Sequence, residues 1–155
     1  MGIIGIVIEI RAARTDEASW VNERYAEVRF IPSDLSKDLV LIAEIARQPA
    51  GLGRLVPVDD DTVELGGMLV FDAFRGKGVA RALIDALVAA STKTIYCIPF
   101  AKLETLYAAA GFMRTEEAPA AVREKYEWCQ RTYDEPVLLL KFIPRVDAGS
   151  PVTPR

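Results

Sequence analysis

The chain contains no histidine. That absence removes Ser-His-Asp and Cys-His catalysis, histidine-ligated metals and a histidine general base together. A catalytic site here must be built from carboxylates, Tyr, Ser, Thr, Lys, Arg or backbone groups. Its two cysteines, Cys97 and Cys129, are too few for a disulfide framework and lack the paired spacing of a zinc site; no metal is expected. No block of like charge occurs, and the formal net charge is −3. Nucleic-acid binding takes most of its affinity from Lys and Arg on phosphates, so no nucleic-acid partner is expected, and a membrane-surface role is disfavoured on the same ground. Long hydrophobic runs are also missing. The apolar start, residues 1–10, is broken by Glu9, lacks a basic leader, and has Ile6 where a myristoylation signal needs Ser or Thr. It reads as a buried first strand, with no membrane segment and the cytoplasm as the expected compartment.

What remains is an ordinary globular composition. Of the 155 residues, 51% are hydrophobic and 26% charged, and a chain of this length buries roughly two thirds of its unfolded surface without metal or disulfide staples. Residues 1–144 are expected to form one domain, and 145–155, rich in Pro, Gly and Ser, a disordered tail. Thr15 is a plausible N-cap for a helix with Val21, Tyr25 and Val28 at helical spacing, ending near Arg29. Aliphatic strands are expected at 39–45, 53–58 and 62–71, the last interrupted by Gly66 and Gly67, where a bulge or a close approach is usual. A Gly-rich turn at 72–78 leads into a helix whose Ala80, Leu83, Ile84, Leu87 and Val88 share one face. A strand at 94–98, a short helix at 102–110 closed by Gly111, a charged helix at 119–131 and a strand at 136–143 complete the pattern. Strands and helices mix as α/β, with a hairpin-rich first half and crossovers in the second.

The most informative stretch runs from Leu69 to Arg81. A strand ends, a glycine turn passes and a helix begins. Such a helix start offers unpaired N–H groups and a positive dipole end, suited to an anion, with Arg75, Lys77 and Arg81 adding charge. A P-loop would need Ser or Thr after the lysine, where Gly78 stands. A dinucleotide fingerprint would need Gly or Ala at position 81, which is Arg, and an acid near 99–100, which are Pro and Phe. A plain surface turn is the remaining alternative.

Arg75-Gly-Lys-Gly-Val-Ala80 matches the [Q/R]-x-x-G-x-[G/A] pyrophosphate motif, and residues 106–112 (LYAAAGF) match the L-Y-x-x-x-G-F signature, of the GNAT acetyltransferases. The two occur in the right order and separation, and the resemblance covers residues 3–143. It implies a mixed central sheet flanked by helices and acetyl-CoA as co-substrate. Gly76, Lys77, Gly78, Val79, Ala80 and Arg81 would hold the pyrophosphate, with Arg75 beside them. Met68, Leu69 and Val70 would pair with the pantetheine arm like an added strand, one of their amides polarising the thioester carbonyl. Tyr107 would protonate the leaving thiolate, its ordinary pKa of about 10 lying above the thiol's of about 8.5; the alternative is that it only packs. Many members carry Asn seven residues before this tyrosine, whereas this chain has Phe100.

The resemblance implies a primary amine as acceptor, on a small molecule or peptide, which must lose a proton to attack. Without histidine a carboxylate acting through water is the expected base. Glu64, on the cofactor strand, is the candidate, with Glu44 weaker and a solvated or sheet-paired Glu64 as the alternative. In this family the first helix and the following loop line the acceptor groove, which offers Tyr25, Arg29 and Phe30. Arg29 could clamp a carboxylate, or stand solvated at a helix C-terminus. Covalent catalysis by Cys97 or Cys129 is disfavoured with no histidine to activate a thiol. Direct acetyl transfer is the leading expectation, against a non-catalytic acyl-CoA-binding module on the same fold. Small members of the family often pair, and the apolar last strand is the expected edge for a homodimer.

Overall fold

The computed structural model describes residues 5–145; the first four residues of the expected opening strand and nearly all of the expected tail lie outside them. Along the described residues run β1 (Ile8–Ala12), α1 (Ala18–Glu27), β2 (Leu39–Ile45), β3 (Gln48–Asp59), β4 (Thr62–Val70), α2 (Val79–Ala89), β5 (Thr94–Cys97), α3 (Glu104–Ala109), β6 (Met113–Arg114), α4 (Ala120–Thr132) and β7 (Leu140–Phe142). The strands form one sheet in the order β1-β2-β3-β4-β5-β7-β6. All neighbours are antiparallel except β4 and β5, whose parallel pairing requires the crossover that α2 supplies. The class is the mixed α/β sheet expected.

Alternation along the strands divides the core between the two faces. Leu41, Ala43, Leu55, Leu65, Ile95 and Cys97 face α2 and α3, packing on Leu83, Ile84, Leu87 and Tyr107. Val40, Ile42 and Leu52 point the other way, onto Val21 and Tyr25 of α1. Tyr96 and Leu139 on that second face meet Val122 of α4. The helices therefore sit two to a face, and β4 runs through the middle.

Several boundaries differ from expectation. β1 is a half-buried edge strand rather than a buried one, because only one of its sides has a neighbour. Thr15 does not cap α1: a 3-10 turn, Thr15–Glu17, precedes the helix, and the Glu17 side chain closes that turn by accepting the Arg14 N–H at 2.9 Å while gripping Arg11 at 2.8 Å. β3 begins earlier than expected, after a turn in which Ala46 and Arg47 both hold positive φ. The last strand shortens to three residues and lies between β5 and β6, so it offers no edge to a second copy. Its approach is irregular: Val137 bridges Phe100, and Leu138 donates to the Pro99 carbonyl at 2.9 Å.

Candidate active site

β4 is paired with β3 on one side, except at a bulge around Gly67, and along only half its length on the other. Its parallel ladder with β5 covers residues 62–65 and stops at Leu65 opposite Cys97. There β5 ends and the chain turns through Pro99 toward β7. Residues 66–70 of β4 thus keep an open edge among the described residues. Backbone groups alternate sides along a strand, and the Phe71 N–H goes to Ala50 on β3 at 2.9 Å. Val70 and Met68 therefore turn their amides and carbonyls toward the open edge, and Leu69 turns its own toward β3. An extended ligand carrying amide groups could add there as a strand.

The bulge expected at the glycine pair is present. Pairing with β3 shifts register between Leu52 and Arg54, opposite Gly67, which has a φ of +58°. The Tyr25 hydroxyl donates to the Gly67 carbonyl at 2.8 Å, tying α1 to the bend. Glycine is required there: a Cβ would stand 2.7 Å from the Tyr25 oxygen and 2.8 Å from Arg54 Nε.

The open edge leads into the turn before α2. Gly76 and Gly78 hold φ of 78° and 86°, a left-handed path on which the chain turns sharply into Val79. The amides of residues 76–81 have no backbone or side-chain partner among the described residues, the first helical bond being Ala82 N–H to Gly78 O. They form an anion-accepting N-terminus of an eleven-residue helix. The side-chain charge is smaller than the sequence suggests. Arg75 is paired with Asp72 at 2.9 Å and Arg81 with Asp85 at 2.9 Å, and Arg81 also reaches across to the Ala109 carbonyl, away from the turn. Lys77 is exposed and unpaired among the described residues. The amides, more than the cations, make this an anion site.

Tyr107 stands on the α2–α3 face, 5% exposed, its ring edge-on to Phe112 with centroids 5.7 Å apart. Its hydroxyl makes no hydrogen bond to any described residue. Burial, and secondarily the neighbouring Cys97 at the end of the β4–β5 ladder, pushes its pKa above the phenol's ordinary value. Glu64 lies on the opposite face, 8% exposed, and accepts a 2.7 Å bond from Lys125 Nζ on α4. Glu44 is two strands away and engaged by Arg11 at 3.1 Å. Burial raises the Cys97 thiol well above its ordinary value, and Cys129 is also raised.

Of the expected acceptor residues, Tyr25 is fully buried, with Phe30 half-buried against its ring at 5.8 Å. Arg29 is exposed, follows α1 with a φ of 63°, and makes no ion pair among the described residues. Two residues escaped the sequence reading. Arg54 of β3 is 8% exposed, with its guanidinium carbon 4.6 Å from the Tyr25 ring centroid. Its signal was its place between Leu52 and Val56 on one side of an aliphatic strand. Lys125 sits in register with Val122 and Cys129, the buried residues of α4, so a lysine on the apolar stripe was the sign that it reaches inward.

Among the described residues no group of three or more metal-ligating side chains converges, and no helix is long and apolar enough to cross a membrane. A model of the family described as "Acetyltransferase (GNAT) domain" matches residues 36–114, just over half of the chain. No curated protein matches in sequence. Solved structures do match in fold. Rv2747 of Mycobacterium tuberculosis, in complex with CoA, has a TM-score of 0.69 at 15% identity, over 88% of this chain and 99% of that one. The yncA protein of Salmonella typhimurium, solved with acetyl-CoA, has a TM-score of 0.65 at 18% identity, over 94% and 99%. N-acetylglutamate synthase of Neisseria gonorrhoeae, complexed with coenzyme A and N-acetyl-glutamate, has a TM-score of 0.66 at 16% identity, over 90% of this chain but 36% of the synthase.

Proposed function

This chain belongs to the GNAT acetyltransferase family, and we propose that it is an N-acetyltransferase that moves the acetyl group of acetyl-CoA directly to a primary amine of a small molecule or peptide. The observation that carries this is the open half of β4 running into the unpartnered amides at the start of α2. That continuous surface suits a ligand that is an amide-bearing arm at one end and a pyrophosphate at the other, and related folds have been solved with CoA or acetyl-CoA bound. Met68 and Val70 are the residues that would pair with the arm. The amides of 76–81 would take the pyrophosphate.

In this reading the acceptor approaches from the α1–α4 face. Glu64, through a water, takes a proton from the ammonium, and the freed nitrogen lone pair attacks the thioester carbonyl carbon. A backbone amide of β4 donates to the oxygen as it gains charge. The C–S bond then breaks, the thiolate takes the Tyr107 hydroxyl proton, and the phenolate recovers one from solvent. Glu64 passes its proton through water to solvent, and the surplus proton on the new amide nitrogen then leaves by the same route. Lys125 fixes the position of the Glu64 carboxylate throughout.

The test is a thermal-shift titration with acetyl-CoA, with ATP and NADH as controls, followed by CoA release against an amine panel. Ligand at about a hundred times its Kd adds about 2.7 kcal/mol, worth about 2–4 °C per kcal/mol in a domain of this size. A shift with acetyl-CoA and amine-dependent CoA release supports the enzyme. A shift without thioester consumption by any amine would mean a binding module instead, and a response to ATP or NADH alone would sink both readings.

A further inference from the structure

Arg54 is a buried cation without an anion. It is 8% exposed, makes no ion pair with any described carboxylate, and its Nη1 is sealed from solvent with no hydrogen-bond partner. Its guanidinium carbon stacks on the Tyr25 ring, 4.6 Å from the centroid. A charge at such depth is unfavourable without a hydrogen-bonded partner. Asp38 lies near enough to act on the Tyr25 ring, but among the described residues no carboxylate bonds the guanidinium, which leaves it available to a ligand's anion.

The surroundings say where a ligand's charge would sit. Arg54 opposes Gly66 across the β3–β4 ladder, so both lie on the same face. Gly66 presents no side chain, and a Cβ there would meet only Glu64 Oε2, at 3.8 Å. The space over Gly66 is therefore bounded by Arg54 across the ladder and by Glu64 two residues back along β4. Glu64 is itself bonded to Lys125. Lys125 thus takes up the Glu64 carboxylate, and Arg54 has no carboxylate at ion-pair distance among the described residues.

We propose that Arg54 binds a carboxylate of the acceptor, and that the substrates are small amino-acid-like molecules whose primary amine and carboxylate lie a few bonds apart. The carboxylate meets the Arg54 guanidinium while the amine lies over Gly66, next to Glu64. This deepens the N-acetyltransferase reading and rests on it for the amine's fate, though not for the binding of the anion. Arg54 rather than the exposed Arg29 then sets acceptor specificity.

The experiment compares α-amino acids, and short ω-amino acids, with their carboxamides. Each is measured for CoA release and, independently, for binding to the acetyl-CoA-loaded protein by calorimetry. The amino acids are expected to exceed their amides by about 100-fold in kcat/KM and in affinity, the range a charged, desolvated hydrogen bond supplies. Arg54→Met should collapse the ratio toward one and Arg54→Lys should leave it intermediate, acetyl-CoA still raising the melting temperature of both. Arg54→Met should also melt higher than wild type without ligand, since a merely structural arginine would melt lower when removed. Amides used and bound as well as amino acids by the wild type would overturn the proposal, whether or not a variant folds. So would the absence of amino-acid binding. If amino acids bind in an Arg54-dependent way but no amine is acetylated, the transferase reading falls and the anion site stands.

Discussion

Gly67→Ala should unfold the bend that shapes the middle of β4. The backbone at 67 has a φ of +58°, which costs an alanine about 1 kcal/mol. The new Cβ would stand 2.7 Å from the Tyr25 oxygen and 2.8 Å from Arg54 Nε. The tyrosine must then leave the Gly67 carbonyl, losing a hydrogen bond with a net value of about 1 kcal/mol, and the displaced ring must repack against buried Val21 and Ile42 at about 1–3 kcal/mol. The sum is about 3–5 kcal/mol, or about 10 °C in melting temperature for a domain of this length. Gly76→Ala is the internal control. Its φ is +78° and nothing lies within 4 Å of the added carbon, so only the backbone cost of about 1 kcal/mol remains. Tyr25→Phe isolates the hydrogen bond. Urea melts of the three variants, with m-values checked for constancy, give the comparison directly. Gly67→Ala no less stable than Gly76→Ala would refute the claim that Tyr25 locks this bend.

Other outcomes follow from the same geometry. Tyr107→Phe should lower kcat by about 100-fold or more with acetyl-CoA affinity within threefold of wild type (~3×, below about 0.7 kcal/mol); an unchanged kcat removes the acid role. Because burial raises the Tyr107 pKa, the phenol stays protonated beyond its ordinary range, and kcat should show no descending limb from it below about pH 10. Glu64→Gln should reduce kcat/KM most at neutral pH and progressively less toward the amine's own pKa, where less deprotonation is needed; a pH-independent deficit would assign Glu64 to structure. The Arg11 bond holds the Glu17 carboxyl from 4.5 down to about 2. A folded value below the unfolded one gives stability that is present above 4.5 and lost as pH falls toward 2. Glu17→Gln should thus cost about 1 kcal/mol at neutral pH, and the difference from wild type should shrink as pH falls below 4.5 and vanish in denaturation curves only below about 2.

What could be read from the chain was local. The seven-residue aliphatic run of β2 and the glycine turn before α2 carry their conformations in their own residue types, and both lie where expected. The hairpin at Ala46 and Arg47 was illegible because neither residue signals a turn; the positive φ values are imposed by the register between β2 and β3. The open edge of β4 was legible only through family resemblance. Physically it arises because Val137 and Leu138, just before β7 and far along the chain, hold the segment after β5 through Phe100 and Pro99. Arg54 and Lys125 were overlooked for a related reason. In one dimension a lone charge in an apolar segment reads as a solvated side chain, and only the sheet shows that Gly66 leaves space beside one and that Glu64 waits for the other.

The arrangement across the sheet bears on why transfer would be direct. Tyr107 belongs to the α2–α3 face and Glu64 to the α1–α4 face, with the open edge of β4 between them. A carbonyl lying along that edge could be attacked from one face while its leaving group is protonated from the other, so the two proton transfers need not compete for one group or wait for a product to leave. A covalent route would need a nucleophile at the edge instead. Cys97 is the nearest thiol to the end of the ladder, but it faces the core, is 2% exposed, and its burial disfavours the thiolate that would have to attack. With Tyr107 and Glu64 in the proposed acid and base roles, their placement on opposite faces of the sheet would suit a ternary complex, and the Arg54 guanidinium lies on the Glu64 side, from which the amine would come.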